Sequence, residues 1–304
     1  MLDNDTTKLA GVQVVKPVQI TPDKTVRLTK QGDSWAEVLW RKKTTPGGHI
    51  IKISKTHYKN LKTGKIKKFQ ESESSHKQAA HLKKSMKKLK GIVRTNFCKD
   101  RQRERHITLT YQENMQDSEK LYRDFQKWWQ RMKRKYEHLG LEYIAVAEPQ
   151  ERGAWHMHVL LKSQEPIPWV SYKSLREMWR SAIGGVGSVR VEEIPDDVED
   201  MGQYFAAYFT TVIPEEAEAT REERKAASKS AKKGSRLQFY PPGFNFYRTS
   251  RGIKKPTKKM VKYSEVLSEY GKPKYKIRAY GIFNGVDEEP FQIIQHQTHR
   301  RAVE

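Results

Sequence analysis

The 304-residue chain carries 59 Lys and Arg against 36 Asp and Glu, a formal net charge of +23, with a hydrophobic share of 36%. The length allows one large domain or a catalytic domain with basic extensions, and the charge points to a polyanion, nucleic acid first, with an anionic membrane surface and ribosomal RNA also compatible. Cys98 is the only cysteine, which excludes an internal disulfide and a cysteine-rich zinc module; with no signal-peptide core at Met1–Thr7 and no spanning apolar run, a cytoplasmic protein without membrane association is expected.

Residues 1–77 read as a basic N-terminal region with candidate strands at Val12–Ile20 and Trp35–Trp40 and a turn at Thr44–Gly48. From Ile51 to Arg105 the chain holds 18 Lys and Arg against 4 Asp and Glu, +14 of the total. A solubilising surface interleaves both signs, so this concentration reads as a binding face. Gln78–Val93 spaces Leu82, Met86, Leu89 and Val93 as one helical stripe, with Lys83, Lys84, Lys87, Lys88 and Lys90 on the other faces.

A regular alternation follows. His106–Tyr111 reads as a strand, and Ser118–Leu139 as a long helix capped by Asp117 or Ser118 and stopped by Gly140. Leu141–Glu148 is a second strand, joined by a turn at Pro149–Ala154 to a third, Trp155–Leu161, with which it should form a hairpin. Ser171–Ile183 is a helix closed by Gly184-Gly185, Ser188–Ile194 a strand, and Asp196–Val212 a helix preceded by Pro195. This order suits an α+β fold, an antiparallel sheet with helices mainly on one face, related to the ferredoxin-like plan. The expected organisation is a catalytic domain over 78–212, a charged linker over 213–236 and a basic, aromatic segment over 237–304. In that last segment Phe239, Tyr240, Phe244, Phe246 and Tyr247 interleave with Arg248, Arg251, Lys254 and Lys255; bases of a single strand can stack on such rings while the cations follow phosphate, or the rings can be buried in a hairpin.

The chemistry starts at Trp155-His156-Met157-His158. Strand side chains alternate, so His156 and His158 share one face while Trp155, Met157, Val159 and Leu161 share the other. Two imidazoles on one face can share a metal ion, or can simply be exposed. Hairpin pairing can carry Glu148 across to them, and two nitrogens with one oxygen suit Mg²⁺ or Mn²⁺ at a catalytic site; zinc accepts the same ligands. Tyr204 and Tyr208, four apart on the last helix, stack on one face beside its apolar stripe. A phenol, with an ordinary pKa of about 10, needs a polarised phosphate to act as nucleophile.

Ile107-Thr108-Leu109-Thr110, then Glu148 with His156-Met157-His158, then Tyr204 and Tyr208 resemble in order and spacing the three motifs of HUH endonucleases, most nearly the two-tyrosine rolling-circle replication initiators of plasmids and phages. The resemblance covers roughly 82–212, and Pro242-Gly243-Phe244 to Lys255-Pro256 also looks like a segment these proteins carry. It implies an HUH endonuclease core in which His156, His158 and Glu148 hold the metal. It also implies that Tyr204 attacks an origin strand, single-stranded or extruded as a hairpin, to leave a 5′-phosphotyrosine and a free 3′-hydroxyl, and that Tyr208 acts at termination. Family members often carry Lys before the second tyrosine; this chain has Ala207, which leaves open whether Tyr208 leads. With no Gly-x-x-x-x-Gly-Lys-Ser/Thr run, a host helicase and replisome are the implied partners. DNA contacts are expected from Lys83, Lys84, Lys87, Lys88, Arg248, Arg251, Lys254 and Lys255. Two alternatives stay open: a conjugative relaxase or transposase, which tend to show three histidines or one tyrosine, and a non-catalytic basic nucleic-acid-binding protein.

Overall fold

The computed structural model describes residues 11–43, 50–54, 57–60, 64–68, 74–98, 100, 102–150, 152–167, 172–192, 200–207, 239–241, 244–273, 277–283, 290 and 292–301. The chain divides into two compact units, Met1–Glu73 with Pro256–Glu304, and Ser74–Lys255. The stretch 237–304 contributes to both. The class is α+β, with antiparallel sheets. Among the described residues no helix is long and apolar enough to cross a membrane.

The first unit begins with β1 (Gly11–Val15), β2 (Thr25–Gln31) and β3 (Trp35–Lys43), followed by the short β4 (Ile50–Lys52), β5 (His57–Asn60) and β6 (Ile66–Lys68), which form a sheet of their own. In β2 the inward positions Val26 and Leu28 alternate with Arg27 and Thr29, the pattern of a strand with one buried face. The turn expected at Thr44–Gly48 lies outside the described residues.

The second unit opens with α1 (Ser74–Asn96), whose Met86, Leu89, Ile92 and Val93 are buried while Lys84, Lys87 and Lys88 are exposed. Next come β7 (Glu104–Tyr111) and α2 (Ser118–Lys135), where Asp117 accepts bonds from the Glu119 and Lys120 amides as N-cap. A 3₁₀ turn, Glu137–Leu139, ends at Gly140, whose φ of 57° is the left-handed conformation that stops a helix. Then follow β8 (Glu142–Pro149), β9 (Trp155–Lys162), α3 (Tyr172–Ile183), β10 (Gly187–Glu192), α4 (Met201–Ala207) and β11 (Tyr247–Thr249). The sheet order is β10-β7-β9-β8-β11, antiparallel throughout.

The register makes the two faces of this sheet chemically different. Ile107, Leu109, Ala145, Ala147, Met157, Val159 and Val189 share one face. Against it pack Phe125 and Trp129 of α2, which meet Tyr143, and Trp179 of α3, which meets Tyr111. The other face carries His106, Thr108, Thr110, Glu148, His156 and His158, with Phe205 of α4 edge-on to His106.

The segment after residue 238 takes the buried alternative. Tyr240 and Phe246 lie in the core of this unit, and Tyr240 and Phe244 pack on Trp155. Tyr240 donates to the Ala147 carbonyl at 3.2 Å, and β11 adds the edge strand beside β8. These rings are therefore unavailable as a stacking platform, because burying an aromatic side chain against Trp155 gains more than leaving it in water.

After Pro256 the chain returns to the first unit with β12 (Thr257–Lys262), α5 (Tyr263–Tyr270), β13 (Arg278–Phe283) and β14 (Gln292–Arg300). Its six-stranded sheet has the order β1-β13-β14-β3-β2-β12, so strands from both ends of the chain alternate in it. Val266 and Tyr270 of α5 join Val26, Leu28, Val38 and Trp40 in a separate core.

Candidate metal centre

The β8–β9 hairpin builds the site. Its register pairs Glu148 with His156 and Val146 with His158, so both imidazoles and the carboxylate project from one face. The turn is closed by Gln150 N–H to the Ala154 carbonyl at 2.7 Å, with Gly153 at φ 85°. Side chains crowd this glycine, Phe239 and Gln116 lying 3.0 and 3.1 Å from where a Cβ would be.

Glu148 Oε2 lies 3.1 Å from His156 Nε2 and 3.1 Å from His158 Nε2, and the two nitrogens are 2.8 Å apart. All three residues are buried. Burial pushes the Glu148 carboxyl up, but the bonds from His156 and His158 outweigh it and hold the group at about 2. Burial drives His158 down, towards the neutral form that binds metals. The residues fit a cation: three donor atoms of two chemical types converge to one point, ionised oxygen and neutral nitrogen, in a pocket walled by Thr108 and Thr110 of β7. The group could hold a metal ion.

Three residues that sequence reasoning missed stand behind these donors. His106, with no exposed surface, places Nε2 3.3 Å from His158 Nδ1, and Thr108 Oγ1 lies 3.2 Å from the same nitrogen. Glu192 of β10 approaches both, accepting from Thr108 at 3.2 Å and lying 3.2 Å from His106 Nδ1. Burial, with the neighbouring His158 adding to it against the opposing pull of Glu192, takes His106 down to about 3. The alternation that paired His156 with His158 also aligns His106, Thr108 and Thr110; what the sequence lacks is that β7, and not only β8, lies beside β9.

Tyr204 is half-buried on α4, its ring edge-on to His106 with centroids 6.2 Å apart. The helix is held to α1 at its start: Arg94 binds Asp200 through two nitrogens, Asp200 caps the Gln203 amide at 3.0 Å, and Lys90 reaches the Gln203 side chain at 2.8 Å. Ala207 ends the described helix, and Tyr208 and the linker 213–236 lie outside the described residues. Residues 196–199 and 209–212 of the expected helix do so as well.

The expected DNA-binding residues separate into two groups. Arg251, Lys254 and Lys255 are exposed, and Asn96 at the end of α1 clasps the Lys254 backbone through bonds of 2.8 and 2.9 Å, which brings this segment to the basic helix. Arg248 pairs with Ala145 in register, so it projects from the face opposite the histidines, where its guanidinium lies 3.6 Å from the centre of the Tyr122 ring. The side chain of Lys83 is not among those described.

Residues 104–212 match the family model of the ORF2-type replication-associated protein. The matched span holds His106, Thr108, Glu148, His156, His158, Glu192, Tyr204 and Tyr208, and it supports a role in replication. No curated protein and no solved structure matches the chain.

Proposed function

We propose that the chain is a rolling-circle replication initiator that nicks one strand of its origin. The observation that carries this is the convergence of Glu148, His156 and His158 within the span that matches a replication-associated family. Donors on adjacent corners of an octahedron with bonds of about 2.1 Å lie about 3.0 Å apart, whereas tetrahedral zinc sets its ligands at about 3.3–3.4 Å. The spacings here, 2.8–3.1 Å, favour Mg²⁺ or Mn²⁺. Such a cation, when bound, neutralises and polarises the scissile phosphate.

Tyr204 acts as nucleophile. Its phenolic oxygen bonds to phosphorus as the bond from phosphorus to the 3′ oxygen breaks. The 3′ oxygen leaves as a hydroxyl, which balances the proton the phenol gives up, and the 5′-phosphate stays on the tyrosine. Tyr208 performs the second transfer, which rejoins the strand. Host helicase and replisome extend the 3′ end. A relaxase-like three-histidine set is less consistent, because His106 faces Nδ1 of His158 and the third atom of the donor cluster is Glu148 Oε2.

The test uses the full chain, labelled single strands from the DNA flanking its own gene, and Mn²⁺ or Mg²⁺. An adduct that survives denaturation is expected, absent in Tyr204→Phe, with Tyr208→Phe retaining cleavage and losing strand rejoining. Absence of an adduct on every such strand refutes the proposal.

A further inference from the structure

His158 is contacted from both sides of its ring: Nε2 faces the donor cluster, while Nδ1 faces His106 Nε2 at 3.3 Å and Thr108 Oγ1 at 3.2 Å. One carboxylate stands behind both of those groups. A carboxylate only accepts, so Thr108 gives its single proton to Glu192 Oε1 and turns lone pairs towards His158. A neutral imidazole also has one proton. In His106 it belongs on Nδ1, the nitrogen 3.2 Å from Glu192 Oε2, which leaves Nε2 as an acceptor. Both neighbours of His158 Nδ1 therefore accept, and the proton of His158 resides there.

We propose that Glu192, acting through His106 and Thr108, fixes His158 as the Nδ1–H tautomer and presents its Nε2 lone pair to the donor cluster. His106, Thr108 and Glu192 are then positioning residues for the metal centre, and the inference rests on the reading of that cluster as a metal site. The cluster itself is consistent with the assignment. The 2.8 Å separation of His156 Nε2 and His158 Nε2 requires one donor and one acceptor; with His158 accepting, His156 donates. His156 Nδ1 is buried with no hydrogen-bond partner among the described residues. The two histidines are therefore unequal: His158 is pre-set for coordination, whereas His156 must give up its Nε2 proton to bind. Such outer hydrogen bonds typically carry a 10–100-fold effect on metal affinity.

The experiment uses the full chain with ¹⁵N-labelled histidine. Long-range ¹H–¹⁵N correlation of the metal-free protein reports which nitrogen of His158 is protonated, and titration with Mn²⁺ reports affinity. The wild type is expected as Nδ1–H. In a His106→Leu, Thr108→Val double variant the proton should move to Nε2, with Mn²⁺ affinity falling 10–100-fold. His106→Gln, whose amide can accept from His158 and donate to Glu192, should keep affinity within threefold. If the double variant does not fold, Glu192→Ala on the edge strand takes its place with the same expected shift. An Nε2–H wild type, or a folded variant with unchanged Mn²⁺ affinity, overturns the inference. If the wild type binds no Mn²⁺ while His158 is Nδ1–H, the metal reading fails and the hydrogen-bond assignment stands.

Discussion

Gly202 is where the position of Tyr204 can be tested without touching any reacting group. It lies in α4 against α1, and a Cβ built on it would sit 2.7 Å from the Lys90 carbonyl oxygen and 2.9 Å from Arg94 Cγ. Carbon and oxygen rest at about 3.3 Å or more, so Gly202→Ala requires a shift of roughly 0.6 Å. The Arg94 side chain can yield, but the Lys90 carbonyl belongs to the backbone of a 23-residue helix, so the 7-residue α4 moves. Overpacking of this kind costs about 1–3 kcal/mol, against a gain of up to about 1 kcal/mol from replacing glycine in a helix, for a net loss near 1 kcal/mol. Misplacement of a reacting group by about 1 Å can cost 100-fold, so a shift of this size should lower the nicking rate on the order of tenfold. The assay is single-turnover cleavage of a labelled origin strand, with Mn²⁺ affinity measured in parallel and expected within twofold of wild type. A variant that nicks at the wild-type rate and melts higher refutes the reasoning, since it would show the helix taking its alanine gain with no clash. An equal loss of Mn²⁺ affinity refutes it too, by placing the damage at the sheet.

Glu148→Gln removes the only charged donor of the cluster and should weaken Mn²⁺ binding at least tenfold by calorimetry with circular dichroism unchanged; affinity kept intact would remove Glu148 from the metal centre. For His106, the folded value of about 3 lies below the unfolded 6.5. The unfolded chain thus takes up a proton that the folded one refuses, and its contribution to stability, complete above pH 6.5, falls by about 2 kcal/mol between pH 7 and 5. Chemical denaturation at the two pH values should show His106→Gln losing correspondingly less than wild type, and equal losses would disprove this. Arg248→Lys keeps the charge but loses the flat stack on Tyr122, so unfolding should become easier by about 0.5–1 kcal/mol. Single-strand affinity should be unchanged, because the side chain projects away from the histidine face; a shallower salt dependence of binding would return Arg248 to the DNA surface.

What the sequence made legible depended on whether one strand or helix contained the whole signal. The period of two in Trp155–Leu161 separates His156 and His158 from Met157 and Val159, and Asp117 with Gly140 marks the ends of the long helical segment, because these are local rules. The hairpin extended that logic by one turn and delivered Glu148. Glu192 was beyond reach, since its contact with His106 requires the β10-β7-β9 order, a non-local pairing. β14 was missed for another reason. Its inward positions are Ile293, Gln295, Gln297 and His299, and three polar residues in four erase the expected alternation. They are tolerated inside because each is satisfied: Gln295 bonds the Val18 backbone at 2.8 and 3.0 Å, Gln297 accepts from Tyr263 at 2.9 Å, and His299 lies 3.0 Å from the Gly271 carbonyl. In Tyr240 and Phe246 the same residues suited stacking and burial equally, and the neighbouring Trp155 decided between them.

The six-stranded sheet also dictates an order of events during synthesis. β3 ends at Lys43 and its partner β14 begins at Gln292, so the central ladder waits for 248 intervening residues. At translation rates of ~5–20 residues per second that delay is roughly 12–50 s. The strands of the second unit are all made within that interval, and its folding can finish while β2 and β3 still present a bare edge. Unpaired edges are where chains join one another. Charged Arg27, Arg41 and Lys42 on these waiting strands therefore guard the nascent protein against association as much as they serve the finished one.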